Sequence, residues 1–265
     1  MTTPDKPVRV EIEVEVAGTP QQVWDAIASA QGISSWFLPT DLEPRVGGAI
    51  VMHMGDTSSS GSVTGWDPPR RFAYVEPDWA DMVGHPDAPV TPLTTEFLVE
   101  ATSGGTCVVR VTTSAFGTGA EWENEFIDDM ESYIRPFFDL LRLYVERFPG
   151  QRAVQREVRV EIADGLEPAD VVPAAARSLG VAAPGEAFDE SGGLGLSGTV
   201  IRVGSPYLMV EVDAPVPGYL NLSGVPCDGG GTMCELGAWL FGPDASEFAD
   251  KAEDGWRSWL AGLGR

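Results

Sequence analysis

The chain is 265 residues long and carries 17 basic against 40 acidic side chains, a formal net charge of −23. At roughly 100 to 200 residues per domain, this is one large domain or two modest ones, each able to bury a core. Apolar residues at 43% and charged ones at 22% exclude a disordered chain or a coiled coil. In chain order, residues 8–16 alternate valine or isoleucine with charge, which predicts a half-buried strand. Thr19 and Pro20 then open a helix, a hydroxyl at the cap and proline in the first turn, with Val23, Trp24 and Ile27 at helical spacing. A second short helix is expected over residues 32–37, ending at Pro39. Strands follow over 49–54, 61–66, 71–76, 94–100 and 106–113, separated by turn signals such as Asp67-Pro68-Pro69-Arg70 and Ser103-Gly104-Gly105. This is an antiparallel meander. Residues 77–92, rich in Pro, Asp and Gly, form a long loop and a candidate lid.

The strongest helical signal begins at Thr118. Thr118-Gly119-Ala120-Glu121 fits a capping box, and Trp122, Phe126, Met130, Tyr133, Phe137, Leu141, Tyr144 and Phe148 recur at steps of three and four. The spacing predicts one helix to about Arg147, about 40 Å long, kinked near Pro136 because proline lacks the backbone donor. So long an aromatic helix needs a curved antiparallel sheet as its partner.

The second half repeats the first. Val8-Arg9-Val10-Glu11-Ile12 returns as Val158-Arg159-Val160-Glu161-Ile162, Gly104-Gly105-Thr106 as Gly230-Gly231-Thr232, and Phe116-Gly117 as Phe241-Gly242. The cap Thr118-x-x-Glu121 returns as Asp244-x-x-Glu247, ahead of Phe248, Trp256 and Leu260 on one helical face. A helix over 168–179, a loop over 184–195 and strands over 196–203 and 207–213 lie between, so the second copy reads as shortened. Matches in the same order indicate duplication. Two domains are expected, 1–150 and 151–265, with the boundary at Pro149-Gly150-Gln151.

At this point the residues carry a resemblance. Thr19 to Ala26, Trp36-Phe37, Gly47-Gly48, Gly61-Ser62-Val63 and Asp67-Pro68-Pro69-Arg70-Arg71 are similar to the START-like or SRPBCC superfamily. Within it they resemble the family named for homologues of the activator of a heat-shock chaperone ATPase. The resemblance implies an α+β helix-grip fold, an antiparallel sheet wrapped around a long C-terminal helix, here present twice. It also implies a cavity between sheet and helix that often receives an apolar molecule. Members include ligand carriers, aromatase/cyclase enzymes and co-chaperones, so the resemblance leaves the task open.

The chemistry available is narrow. The chain has two histidines: His53 on a strand, facing either the cavity or solvent, and His85 in the long loop beside Asp81 and Asp87. No Gly-x-Ser-x-Gly elbow and no metal-ligand spacing accompany them, so no catalytic triad, metal or cofactor is expected. Gly193-Leu194-Gly195-Leu196-Ser197-Gly198 has the letters of a dinucleotide fingerprint, but a strand follows it where the chemistry needs a helix. The carboxylates Glu121, Glu123, Glu125, Asp128, Asp129 and Glu131 suit the dipole at a helix start. Asn221-Leu222-Ser223 is a sequon, idle without secretion. Cys107, Cys227 and Cys234 are too few for a disulfide framework and suit small core positions. No apolar run approaches the roughly 18 residues of a membrane span, and the first 16 residues do not resemble a signal peptide, so a cytoplasmic protein is expected.

The aromatic residues carry the functional expectation. Trp36, Trp66, Phe72, Tyr74, Trp79, Phe97, Phe116, Tyr133 and Phe137 come from elements that would line a helix-grip cavity, with His53 as a polar companion. The leading expectation is a protein whose first domain binds a small apolar or aromatic molecule, with the shorter second domain packing against it as a support. A co-chaperone-like or regulatory protein partner, met through an acidic face, is the alternative from the interaction class. A cofactor-free cyclase- or dehydratase-type enzyme is the third, and it requires an ionisable group inside the cavity with a shifted pKa. Scattered basic residues, near one another only at Arg70-Arg71 and in the spaced Arg135, Arg142 and Arg147, disfavour nucleic acid and anionic membrane as partners.

Overall fold

A computed structural model describes residues 6–55, 57–82, 85–102, 104–117, 119–189, 193–227 and 230–264. The chain divides into two compact units, Met1–Arg152 and Ala153–Arg265. Among the described residues, the first unit forms a seven-stranded antiparallel sheet. Its strands are β1 (Lys6–Ala17), β2 (Thr40–Leu42), β3 (Ala49–Met54), β4 (Thr57–Asp67), β5 (Arg71–Glu76), β6 (Leu93–Ala101) and β7 (Thr106–Gly117). They lie in the order β1-β7-β6-β5-β4-β3-β2. The first strand therefore closes onto the last, Val10 opposite Thr113 and Ile12 opposite Val111.

Local chemistry accounts for the connections. In β1, Val10, Ile12 and Val16 are buried while the glutamates between them face out, as a period-two strand with one wet face requires. α1 (Pro20–Ile27) starts at a full capping box: the Gln22 amide donates to the Thr19 hydroxyl at 3.2 Å, and the Thr19 amide donates to the Gln22 side chain at 2.9 Å. α2 (Ala30–Ser34) begins earlier than residue 32 because the Ser29 hydroxyl accepts from the Gly32 amide at 2.9 Å. The loop after β5 holds α3 (Trp79–Met82).

The single long helix expected after β7 is two helices, α4 (Glu121–Ile134) and α5 (Phe137–Arg147). Pro136 has no N–H to continue the ladder. Beyond it the amides of Phe138 and Asp139 bond three residues back, to Arg135 and Pro136, at 3.1 and 3.0 Å. The expected cap at Thr118 and the turn residue Ser103 lie outside the described residues. The described part of the α4 start is closed by Glu123, whose carboxylate accepts from the amides of Gly119 and Ala120.

Among its described residues the second unit forms a six-stranded antiparallel sheet in the order β8-β13-β12-β11-β10-β9. The strands are β8 (Val154–Ile162), β9 (Ala187–Phe188), β10 (Ser197–Gly204), β11 (Tyr207–Ala214), β12 (Gly218–Pro226) and β13 (Thr232–Leu240). A 3-10 turn, Pro168–Asp170, leads into α6 (Val171–Leu179), and α7 (Ala245–Gly262) closes the unit. The rule of the first sheet recurs: the opening strand pairs with the final one, Val160 opposite Cys234. The helix-grip arrangement is thus present twice. β12 was not expected from the sequence, because Tyr219 to Ser223 are buried without alternation, and a strand covered on both faces lacks the period-two signal. The interior of this unit is filled. Trp256 and Leu260 of α7 are fully buried, the Trp256 indole donates to the Leu194 carbonyl at 3.1 Å, and the gap between Leu179, Leu208, Val210 and Trp259 is about 10 Å³, at the lower limit for one water.

Candidate functional site

The first unit keeps a void, whereas the gap described in the second is about 10 Å³. Side chains that alternate onto one face of β3 to β7 meet α4 across a cavity of about 520 Å³, within the range of about 300–1,000 Å³ that holds small molecules. Ile50 and Met52 come from β3, Phe72 and Tyr74 from β5, Phe97 from β6 and Val111 from β7. Trp122, Phe126, Met130 and Tyr133 from α4 face them, and Trp36 with Phe37 closes one end. The Trp36 indole is fixed there by donating to the Ala26 carbonyl at 3.0 Å.

A polar stripe crosses this apolar wall. Ser59 on β4, Tyr74 and Glu76 on β5, Thr95 on β6 and Thr113 on β7 all line the cavity. Register explains the stripe: Tyr74 lies opposite Thr95, and Thr95 opposite Thr113, whose hydroxyls are 3.2 Å apart. Glu76 is 6% exposed. Burial pushes its carboxyl above the usual range, and a hydrogen bond donated by the Ser59 hydroxyl pulls the other way. Burial also pushes the Tyr74 phenol up, the nearby Glu76 carboxyl adds to the rise, and a hydrogen bond with Thr95 opposes it.

The rim is acidic and aromatic. His85 stacks on Trp122 with ring centroids 4.1 Å apart, and the exposed Glu125 and Asp129 of α4 border the void. Among the described residues no Lys or Arg lines the cavity, and no group of three or more His, Cys, Asp or Glu side chains is placed to hold a metal. Also among the described residues, no helix is long and apolar enough to cross a membrane.

Residues 17–145 match the family model described as Activator of Hsp90 ATPase homolog 1-like protein. The matched residues all lie in the first unit, which is similar to that family over most of its length. Solved structures similar to the chain share 15–16% of its sequence. The di-domain ARO/CYC protein BexL of the BE-7585A pathway covers 97% of this chain and matches over 97% of its own, at 16% identity and a TM-score of 0.44. DynU16, from the dynemicin biosynthetic locus, covers 99% of this chain and 100% of its own, at 15% identity and a TM-score of 0.41. The Aha1 dimer of Colwellia psychrerythraea covers 54% of this chain and 99% of its own, at 15% identity and a TM-score of 0.42. Among curated proteins, no relative matches at a significant level.

Of the residues singled out from the sequence, the first unit brings Trp36, Phe72, Tyr74, Phe97 and Tyr133 to the cavity and places the other five elsewhere. Trp66 packs edge-on against Trp24 of α1, centroids 5.1 Å apart, so the helix fills the end of the sheet where it stands. Trp79 is fully buried behind the wall, against Trp122 and Phe126, and its indole donates to the Thr91 carbonyl at 2.8 Å. It anchors the long loop to α4. Phe137 packs behind Phe37, ring edge to face at 5.1 Å, and Phe37 takes the lining position. Phe116 is 52% exposed, because the buried positions of β7 are the odd-numbered ones. His53 falls on the outer face of β3, between inward Met52 and the strand end, and its Nε2 lies 3.0 Å from an Asp41 carboxylate oxygen.

The sequence does not single out Glu76, Ser59, Thr95, Thr113, Trp122 or Phe126 as site residues, and it places His85 only in the long loop. A signal for Glu76 was available, since it stands two residues beyond Tyr74 and four beyond Phe72 on one alternating strand. Position on one face is what alternation guarantees.

Proposed function

We propose that the first unit binds a small, largely apolar, ring-bearing molecule between its sheet and α4. The observation that supports this reading is the void of about 520 Å³ walled by aromatic side chains. Apolar surface removed from water there would contribute about 25 cal/mol per Å². The stripe from Ser59 to Thr113 would fix the ligand's orientation, as a few convergent polar groups do in such sites.

The test is native mass spectrometry and thermal shift of the whole protein against a mixed hydrophobic library, repeated on Met52→Trp, which puts an indole into the void. A bound library member is expected, held at least about tenfold more weakly by the variant, a loss of about 1.4 kcal/mol. Equal binding by both proteins would place the ligand elsewhere.

A second reading draws on Glu76 and Tyr74, two ionisable groups inside the cavity with raised pKa values. A buried carboxyl with a raised pKa can serve as a general acid when it carries the proton, which suits a cofactor-free cyclase- or dehydratase-type enzyme. Loss of water from a bound library member, seen by mass spectrometry and abolished by Glu76→Gln, would favour it. A ligand recovered unchanged after long incubation would count against it.

A further inference from the structure

The chemistry of the wall narrows the ligand class beyond apolar. We propose that the cavity takes a cationic amine, a ring-bearing apolar molecule with one basic nitrogen whose ammonium sits on the carboxylate of Glu76. The proposal rests on the reading of the cavity as a ligand site, and it selects among ligands for that site.

Glu76 is the anomaly in an otherwise ordinary apolar wall. A carboxyl is among the costliest groups to bury without a partner, yet Glu76 is 6% exposed. One of its oxygens accepts from the Ser59 hydroxyl. Among the described residues no Lys or Arg lines the cavity to pair with it. The fold therefore holds a desolvated, oriented carboxyl whose natural counter-ion is absent from the protein's own lining. A hydroxyl or carbonyl ligand would be served by Tyr74, Thr95 and Thr113 alone. A carboxylate is the group a cation requires.

Three further features point the same way. Trp36, Phe72, Phe97 and Tyr133 offer aromatic surfaces to the same void, and ring faces attract cations most where water is excluded. Glu125 and Asp129 stand at the rim, and the chain carries −23 overall, so the field concentrates cations at the mouth and repels anions. Fatty acids and phosphorylated molecules would bring a second negative charge to a site with no Lys or Arg among its described lining residues. Finally, the Ser59 hydroxyl fixes the carboxyl before any ligand arrives, which lowers the ordering cost of binding.

The experiment is isothermal titration calorimetry of the whole protein at neutral pH with three matched probes: 2-(2-naphthyl)ethylamine, 2-(2-naphthyl)ethanol and 2-naphthylacetate. The amine is expected to bind at least about tenfold more tightly than the alcohol, as a charge-assisted hydrogen bond adds, and the carboxylate most weakly. Glu76→Gln should bring the amine to within about twofold of the alcohol. Should Glu76→Gln fail to fold, the ranking on the native protein decides alone. An alcohol or carboxylate binding as tightly as the amine, or an amine preference that survives Glu76→Gln, would overturn the amine assignment and leave the cavity reading standing. If none of the three probes binds and no library member does either, the cavity reading falls with it.

Discussion

Glu76 makes the stability of the first unit depend on pH in a definite direction. Its folded pKa lies above the ordinary 4.5 because burial disfavours the charged form. Below pH 4.5 both folded and unfolded chains hold the proton, and the residue costs nothing through ionisation. As the pH rises past that value the unfolded chain releases its proton first, so stability falls until the pH passes the folded pKa, and it then stays lower. Glutamine has no such loss. Glu76→Gln is therefore expected to gain stability relative to the native protein between acidic and neutral pH, read from urea midpoints across that range; a difference that does not vary with pH would contradict the burial of a carboxyl there. Much of this was legible one residue at a time. The alternation of β5 puts Glu76 on one face with Phe72 and Tyr74, whereas that of β3 leaves open which face His53 takes, and the structure puts it outside. Trp66, Trp79 and Phe137 were not legible as wall or core, since Trp66 packs on Trp24 and the lining positions beside Trp79 and Phe137 are taken by Trp122 and Phe37, and sequence spacing does not say which ring lines the void.

Both units turn into their last strand in the same way. Gly104 and Gly105 have φ of 90° and 83°, and Gly230 and Gly231 have φ of 91° and 88°, a region that side chains avoid. A Cβ on Gly105 would meet nothing within 4 Å, whereas one on Gly231 would sit 2.8 Å from the Ile162 carbonyl oxygen. Gly105→Ala is expected to cost about 1–2 kcal/mol from backbone strain alone, and Gly231→Ala more, because the clash adds to it. Urea denaturation of the two variants checks the order; an equal or reversed ranking would contradict the geometry. The paired Gly-Gly-Thr segments announce these turns in the sequence, as Thr19-Pro20 announces α1. The break between α4 and α5 was legible only as a kink at Pro136, and β12 not at all, because burial on both faces erases the period that marks a strand.

At the scale of the molecule the two sheets share one rule of closure, first strand against last, with one strand fewer in the second. They differ in what the closing helix leaves beneath it. Trp256 and Leu260 of α7 are fully buried and fill their unit, whereas Trp122 and Tyr133 of α4 remain half-buried around about 520 Å³. The duplication can be read from repeated short segments in order. A void cannot, since it is a small difference between the space a sheet and helix enclose and the summed volumes of many side chains. The most direct measurement is therefore a crystal structure of the whole protein soaked with 2-(2-naphthyl)ethylamine. The account predicts naphthalene density between Phe72 and Trp122 with the nitrogen within hydrogen-bond distance of the Glu76 carboxylate. A first unit whose own side chains fill that space, or a probe found only outside it, would contradict the account.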